Sequence, residues 1–74
     1  MFVSSVTVEG KRLRKSSKYG FMNKLAVVEV VGGKPRAIGW FRLPESAAAT
    51  AEFYRGLNDV DVRVVPAVVE EVTA

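Results

Sequence analysis

Residues 24–43 read K-L-A-V-V-E-V-V-G-G-K-P-R-A-I-G-W-F-R-L, two apolar runs on either side of the pair Gly32-Gly33. Glycine takes the positive φ angles of a tight hairpin turn without steric cost, so this pattern predicts a β-hairpin. We expect the rest of the chain to pack on or beside this hairpin.

The length and composition indicate a single folded domain that spans residues 1–74. The chain has 74 residues, of which 49% are hydrophobic and 26% charged, which is typical of a folded domain rather than of a disordered tail. A chain this short buries a smaller fraction of its surface than a longer chain does, so we expect an efficient core or one shared with a partner. Long apolar runs and a signal-peptide pattern are both missing from the sequence, and we expect a cytoplasmic protein that does not enter a membrane.

Two further strands are predicted from apolar alternation. In residues 2–8, Phe2, Val6 and Val8 fall on one side of a strand. In residues 60–65 the valines at every second position face inward, with charged residues between them.

Two segments have no such pattern. Residues 11–18 lack apolar periodicity and are interpreted as a loop, the alternative being an extension of the first strand as a projecting arm. Residues 67–74 fit an edge strand, a short helix that starts at Pro66, or an irregular tail.

A helix is predicted from about residue 44 to about residue 55. Pro44 suits the first helical position, and Glu45 suits the positive end of the helix dipole. The expected buried stripe comprises Ala47, Thr50, Ala51, Tyr54 and Leu57. Gly56 is predicted to take the left-handed conformation just beyond the helix, with a turn at Asn58-Asp59.

Together these elements predict an α+β fold in the order β-β-β-α-β. The expected architecture is a small antiparallel sheet of about four strands with one helix packed on one face.

The residue types argue against catalysis. The chain has no histidine and no cysteine, which removes the commonest general base, thiol nucleophile and nitrogen metal ligand. The carboxylates at Asp59, Asp61 and Glu70-Glu71 fall in solvated turn and tail positions, and Gly32-Gly33-Lys34 lacks the spacing of a phosphate loop. We expect a protein that is not an enzyme and has no cofactor, metal or small-molecule substrate.

The hairpin strands are apolar on both faces, although one helix covers only one face of a sheet. The uncovered face is therefore predicted to bind a protein partner or a second copy of the chain. The expected patch comprises Leu25, Val27, Ile38 and Trp40, with Arg36 and Arg42 at its rim. The alternatives are that the C-terminal tail covers this face, or that the register is shifted by one residue.

A cluster of basic residues gives a second hypothesis. Of the eleven basic residues in the chain, five lie within eight positions: Lys11, Arg12, Arg14, Lys15 and Lys18. Tyr19 and Phe21 follow directly, and cations with aromatic rings are the combination used to bind single-stranded nucleic acid. The alternative is a solvated loop that keeps the protein soluble.

Two short motifs suggest a family. The sequence V-V-G-G-K at residues 30–34, followed by F-Y-R-G-L at residues 53–57, resembles small phage-encoded anti-CRISPR proteins that block type I surveillance complexes. This resemblance implies a compact, non-enzymatic protein that inhibits or modulates a host complex by stoichiometric binding. The alternative function is a nucleic-acid-binding module that uses residues 11–18.

Overall fold

The computed structural model describes residues 1–57 and 60–73 and divides them among six strands and one helix. In chain order the elements are β1 (Phe2–Val8), β2 (Lys11–Ser17), β3 (Leu25–Val31), β4 (Lys34–Phe41), α1 (Pro44–Leu57), β5 (Asp61–Pro66) and β6 (Val68–Glu71). The α+β class is confirmed, but the order is β-β-β-β-α-β-β rather than β-β-β-α-β.

The strands form two three-stranded antiparallel sheets, which corrects the prediction of one sheet of about four strands. Sheet A has the strand order β2-β1-β6, and sheet B has the order β4-β3-β5. Only Ala67 separates β5 from β6, so one chain segment supplies a strand to each sheet. The sheets also meet where β2 contacts β4.

Both hairpins turn through two residues with positive φ, which is the type I′ geometry that matches the twist of the strands. Gly32 and Gly33 have φ angles of 58° and 77°, which confirms the predicted hairpin. Glu9 and Gly10, at 51° and 75°, join β1 to β2 in the same way.

β2 corrects the interpretation of residues 11–18 as a loop. It pairs with β1 along its whole length, from Val8 opposite Lys11 to Phe2 opposite Ser17. Leu13 is its one apolar residue and packs against the core. The alternation that marks a half-buried strand is therefore absent, and the pairing is directed by the turn and by β1.

The core consists of two clusters on opposite faces of sheet B. On one face, Val27 and Val62 pack against Ala47 and Ala51 of α1. On the other face, residues of β3 pack against sheet A in a cluster whose buried members are Val6, Val8, Ala26 and Val28. The hairpin is apolar on both faces because the chain itself covers both.

α1 starts as predicted and ends later. The first helical hydrogen bond runs from the Ala47 amide to the Leu43 carbonyl, which places Pro44 at the first helical position. Gly56 lies inside the helix without a positive φ, and Leu57 is exposed, so the predicted left-handed cap was wrong. The predicted turn at residues 58–59 lies outside the described residues.

The C-terminal segment forms the edge-strand alternative. β6 pairs with β1 from Ser5 opposite Val68 to Phe2 opposite Glu71. The Val72 amide donates to the Met1 carbonyl at 2.8 Å, which extends the ladder beyond the strand. This pairing gives β1 a neighbour on both sides and leaves β2 at the edge of sheet A.

Candidate nucleic-acid interface

β2 displays the basic cluster on an edge strand. Leu13 packs inward, so the period of two places Arg12 and Arg14 on the outer face of sheet A, while Lys11 and Lys15 lie on the side of Leu13. All four side chains are exposed, as is Lys18 just after the strand. At the rise of a β-strand, these cations extend over about 20 Å along the edge of sheet A, on both sides of β2, and we call them the basic track.

Most of this positive charge is not neutralised within the described part of the chain. There, Arg12 is the one member of the cluster that forms an ion pair, with its Nη2 atom 3.9 Å from Oε1 of Glu70. Both side chains are more than half exposed, and such pairs contribute little to stability and are easily exchanged. Most cations of the track are therefore available to bind an anionic ligand.

The loop after β2 presents two aromatic rings to solvent. Tyr19 and Phe21 are 54% and 50% exposed, and their rings stack with centroids 5.3 Å apart and planes inclined by 23°. The Arg42 guanidinium lies over the Phe21 ring, 5.9 Å from its centroid, within the range of a cation–π interaction. Aromatic and cationic groups thus meet at one end of the basic track.

Local contacts hold this loop in place. The Ser17 hydroxyl donates to the Tyr19 carbonyl at 2.9 Å, and the Met22 amide donates to the same carbonyl at 3.3 Å. Gly20 lies against the Phe2 ring so closely that a Cβ atom would come within 2.9 Å of it. The backbone between the two rings therefore rests on β1.

An open cleft of about 400 Å³ adjoins the loop. It is lined by Met1, Ser16, Ser17 and Lys18. The Ser16 hydroxyl and the Lys18 ammonium group can donate hydrogen bonds to an anion, whereas the Ser17 hydroxyl already donates to the Tyr19 carbonyl.

The predicted protein-binding patch is not present. Val27 is fully buried beneath α1, where Leu25 and Ile38 also pack. Trp40 lies on the opposite face of sheet B, against the cluster shared with sheet A. The four residues are split between two covered faces, which corrects the prediction of one exposed surface.

A β-bulge explains why Ile38 and Trp40 do not share a face. The register shifts between Val27 and Val28, so that Gly39 pairs with Val27 whereas Ala37 pairs with Val28. Ile38 is the extra residue, and the alternation of β4 is broken there. No pattern in the sequence predicts the bulge at Ile38.

The two predicted rim arginines also lie apart. The Arg36 Nε atom is 3.3 Å from Oε1 of Glu29 on the neighbouring strand, whereas Arg42 lies over Phe21. The sequence does not predict the contact between Arg42 and Phe21, because the two residues are far apart in the sequence and only the fold brings them together.

A second charged group lies at the far end of the β1–β2 hairpin. The Arg63 Nη2 atom is 2.8 Å from Oε1 of Glu9 and 2.7 Å from Oδ2 of Asp61. The hydrogen bond from Arg63 lowers the pKa of the Asp61 carboxyl, and the hydrogen bonds to Asp61 and Glu9 raise the pKa of Arg63. The carboxylate therefore stays ionised, and the group links sheet A to β5.

The part of the chain that the structure describes contains neither a cluster of metal-ligating residues nor a membrane-spanning helix. Within residues 1–57 and 60–73, no three acidic groups come together in a way that could hold a metal ion. The helix found in that part of the chain lacks the length and apolar character needed to cross a membrane.

Comparison with protein-family models, with curated proteins and with solved structures found no match to this chain.

Proposed function

We propose that the protein is a non-enzymatic binding module that binds nucleic acid through β2 and the loop that follows it. The observation that carries the proposal is the run of five exposed cations in residues 11–18, which leads directly to the exposed rings of Tyr19 and Phe21. Cations that neutralise phosphates release bound counterions, and aromatic rings stack on bases. The lack of histidine and cysteine favours binding over catalysis.

The proposal is tested by the salt dependence of binding. We expect the protein to bind a labelled oligonucleotide in fluorescence anisotropy at low salt, with an affinity that falls steeply as salt rises. On a single strand the slope of log K against log salt is about −0.7 per neutralised phosphate, so five contacts would give about −3.5. Replacing Lys11, Arg12, Arg14 and Lys15 together by Ser should abolish binding while the protein stays folded by circular dichroism.

Two single substitutions form a matched pair. Lys15→Ser removes a charge from the track, whereas Lys34→Ser removes the same charge at the start of β4, outside residues 11–18. We expect the first to reduce the salt slope by about 0.7 and the second to leave it unchanged. Equal effects of the two variants would show a response to net charge alone, and absence of binding at low salt would refute the proposal.

A protein partner is the second candidate. Phe53 and Leu57 are 63% and 60% exposed and lie four residues apart, on the same side of α1. Exposed apolar pairs of this kind favour association with another protein or a second copy of the chain. The resemblance to inhibitors of host complexes belongs to this candidate and stays a prediction.

Affinity capture separates the two candidates. A host protein that remains bound after nuclease treatment, but is lost from the variant carrying Phe53→Ser and Leu57→Ser, would support a protein partner. Capture that nuclease abolishes would support nucleic-acid binding. Sedimentation of the wild-type protein and of the variant carrying Phe53→Ser and Leu57→Ser would detect a homodimer.

A further inference from the structure

We propose that Tyr19 is the base-stacking residue of a subsite that selects unpaired nucleotides over duplex. This inference rests on the proposed function and adds to it the strand state of the ligand and the residue that reads it. It follows from the order in which Arg42, Phe21 and Tyr19 lie against one another.

Phe21 contacts both the stacked Tyr19 ring and the Arg42 guanidinium. We call this series of contacts, from Arg42 through Phe21 to Tyr19, the column. Among the described residues, Tyr19 has no aromatic or cationic contact other than Phe21. Tyr19 therefore ends this series of contacts, and 54% of the residue is exposed and available to a ligand.

The column is preorganised for stacking. Its backbone is fixed by the hydrogen bond from Ser17 and by the packing of Gly20 on the Phe2 ring. A ring that is already held in place loses little conformational entropy when a ligand binds. Tyr19 therefore offers a base a flat, apolar surface at a fixed position.

The cleft beside the loop gives the same nucleotide a place for its phosphate. Lys18 precedes Tyr19 in the chain and lines the cleft together with Ser16 and Ser17. A base on Tyr19 thus has the Lys18 ammonium group and the Ser16 hydroxyl close to its sugar–phosphate backbone. The rest of the strand would follow the cations of β2.

This geometry favours single strands because the face of a base must be free to stack. In a duplex each base lies between its neighbours, so a protein ring reaches the face only after the stack is opened. Single strands expose their bases, and stacking on an aromatic ring tolerates any sequence. The basic track alone, by contrast, would bind duplex and single strands alike through their phosphates.

The test measures the affinity of the full chain for single-stranded DNA, single-stranded RNA and duplex DNA of equal length. We expect the wild-type protein to bind one or both single strands more tightly than the duplex, and the comparison of DNA with RNA identifies the natural chemistry. Tyr19→Ala should weaken single-strand binding by about tenfold, within the range measured for base–aromatic stacking, and leave duplex binding unchanged.

Two control variants separate stacking from other effects. Tyr19→Phe keeps the ring and should retain the affinity within about twofold, since stacking uses the π-face and not the hydroxyl. Phe53→Ala removes an equally exposed ring from α1 and should change no affinity. Phe21→Ala removes the support beneath Tyr19 and should weaken single-strand binding to a similar extent.

Failure of the inference can be told from failure of the proposed function. If the wild-type protein binds none of the three nucleic acids at low salt, both are overturned. Binding by the wild-type protein that is lost in the four-serine variant of β2 would support the proposed function. If, in that case, Tyr19→Ala leaves the preference for single strands over duplex unchanged, or the wild-type protein binds duplex most tightly, the stacking subsite alone is overturned.

Discussion

The Trp40 side chain lies between the two sheets and joins them through one large ring. It packs against the cluster formed by Val6, Val8, Ala26 and Val28, in which each sheet contributes two buried residues. Aromatic rings bury a large surface, and Trp40 is the largest residue of this cluster, which also contains valines and Leu13. Trp40 is therefore a half-buried residue of the core between the sheets and does not share a patch with Leu25, Val27 and Ile38.

We expect Trp40→Ala to lower the free energy of unfolding by about 2–4 kcal/mol, because it removes the ring and leaves a cavity that valines do not fill. Phe53→Ala is the matched control and should change it by less than about 0.5 kcal/mol, since the ring is exposed. Urea denaturation followed by circular dichroism measures both. Equal midpoints for Trp40→Ala and the wild type would contradict the placement of this ring in the core.

At the scale of elements, replacing glycine by alanine is expected to have opposite effects on stability in a turn and in a helix. Gly33 has a φ of 77° in the β3–β4 turn, whereas Gly56 lies inside α1 without a positive φ and with no atom near the position of a Cβ. A left-handed conformation is unfavourable for alanine, but alanine is the best residue inside a helix.

We therefore expect Gly33→Ala to destabilise the protein by about 1–2 kcal/mol and Gly56→Ala to stabilise it by about 0.5–1 kcal/mol. Thermal unfolding of the two variants beside the wild type measures the difference. The sign of the stability change of Gly56→Ala shows whether Gly56 lies inside the helix or caps its end in a left-handed conformation. A loss of stability there would restore the left-handed cap that the sequence predicts.

Elements with local signals could be predicted from the sequence, and elements that depend on their neighbours could not. The Gly32-Gly33 turn and Pro44 at the start of α1 act through their own backbone preferences, which the sequence carries directly. β2 has one apolar residue and is a strand because β1 lies beside it. The bulge at Ile38 follows from the pairing of whole strands, and no single residue encodes it.

Of the candidate site, too, only the part formed by residues adjacent in the sequence could be predicted. The cations of residues 11–18 and the neighbouring Tyr19 are adjacent in the sequence, so their combination could be recognised there. Arg42 lies in the connection between β4 and α1 and reaches Phe21 only in the folded chain. The sequence predicts apolar residues on both faces of the hairpin, which the structure confirms, but a sheet formed from β1, β2 and β6 covers the second face.

At the scale of the whole molecule, the two sheets and the helix depend on one another. β3 contributes Val27 to the cluster beneath α1 and Val28 to the cluster against sheet A, so adjacent residues of one strand hold both layers. The β5–β6 segment supplies a strand to each sheet, and Arg55 of α1 donates to the Val62 carbonyl of β5. The core cluster of sheet A is shared with sheet B.

We therefore expect the molecule to unfold in a single cooperative transition, as small domains usually do. Trp40 is the one tryptophan in the chain, so its fluorescence reports on the cluster between the sheets, while far-ultraviolet circular dichroism reports mainly on α1. In urea the two signals should give the same midpoint and the same slope. A fluorescence transition at lower urea than the helix transition would show that sheet A separates first and that the β5–β6 segment does not couple the two layers.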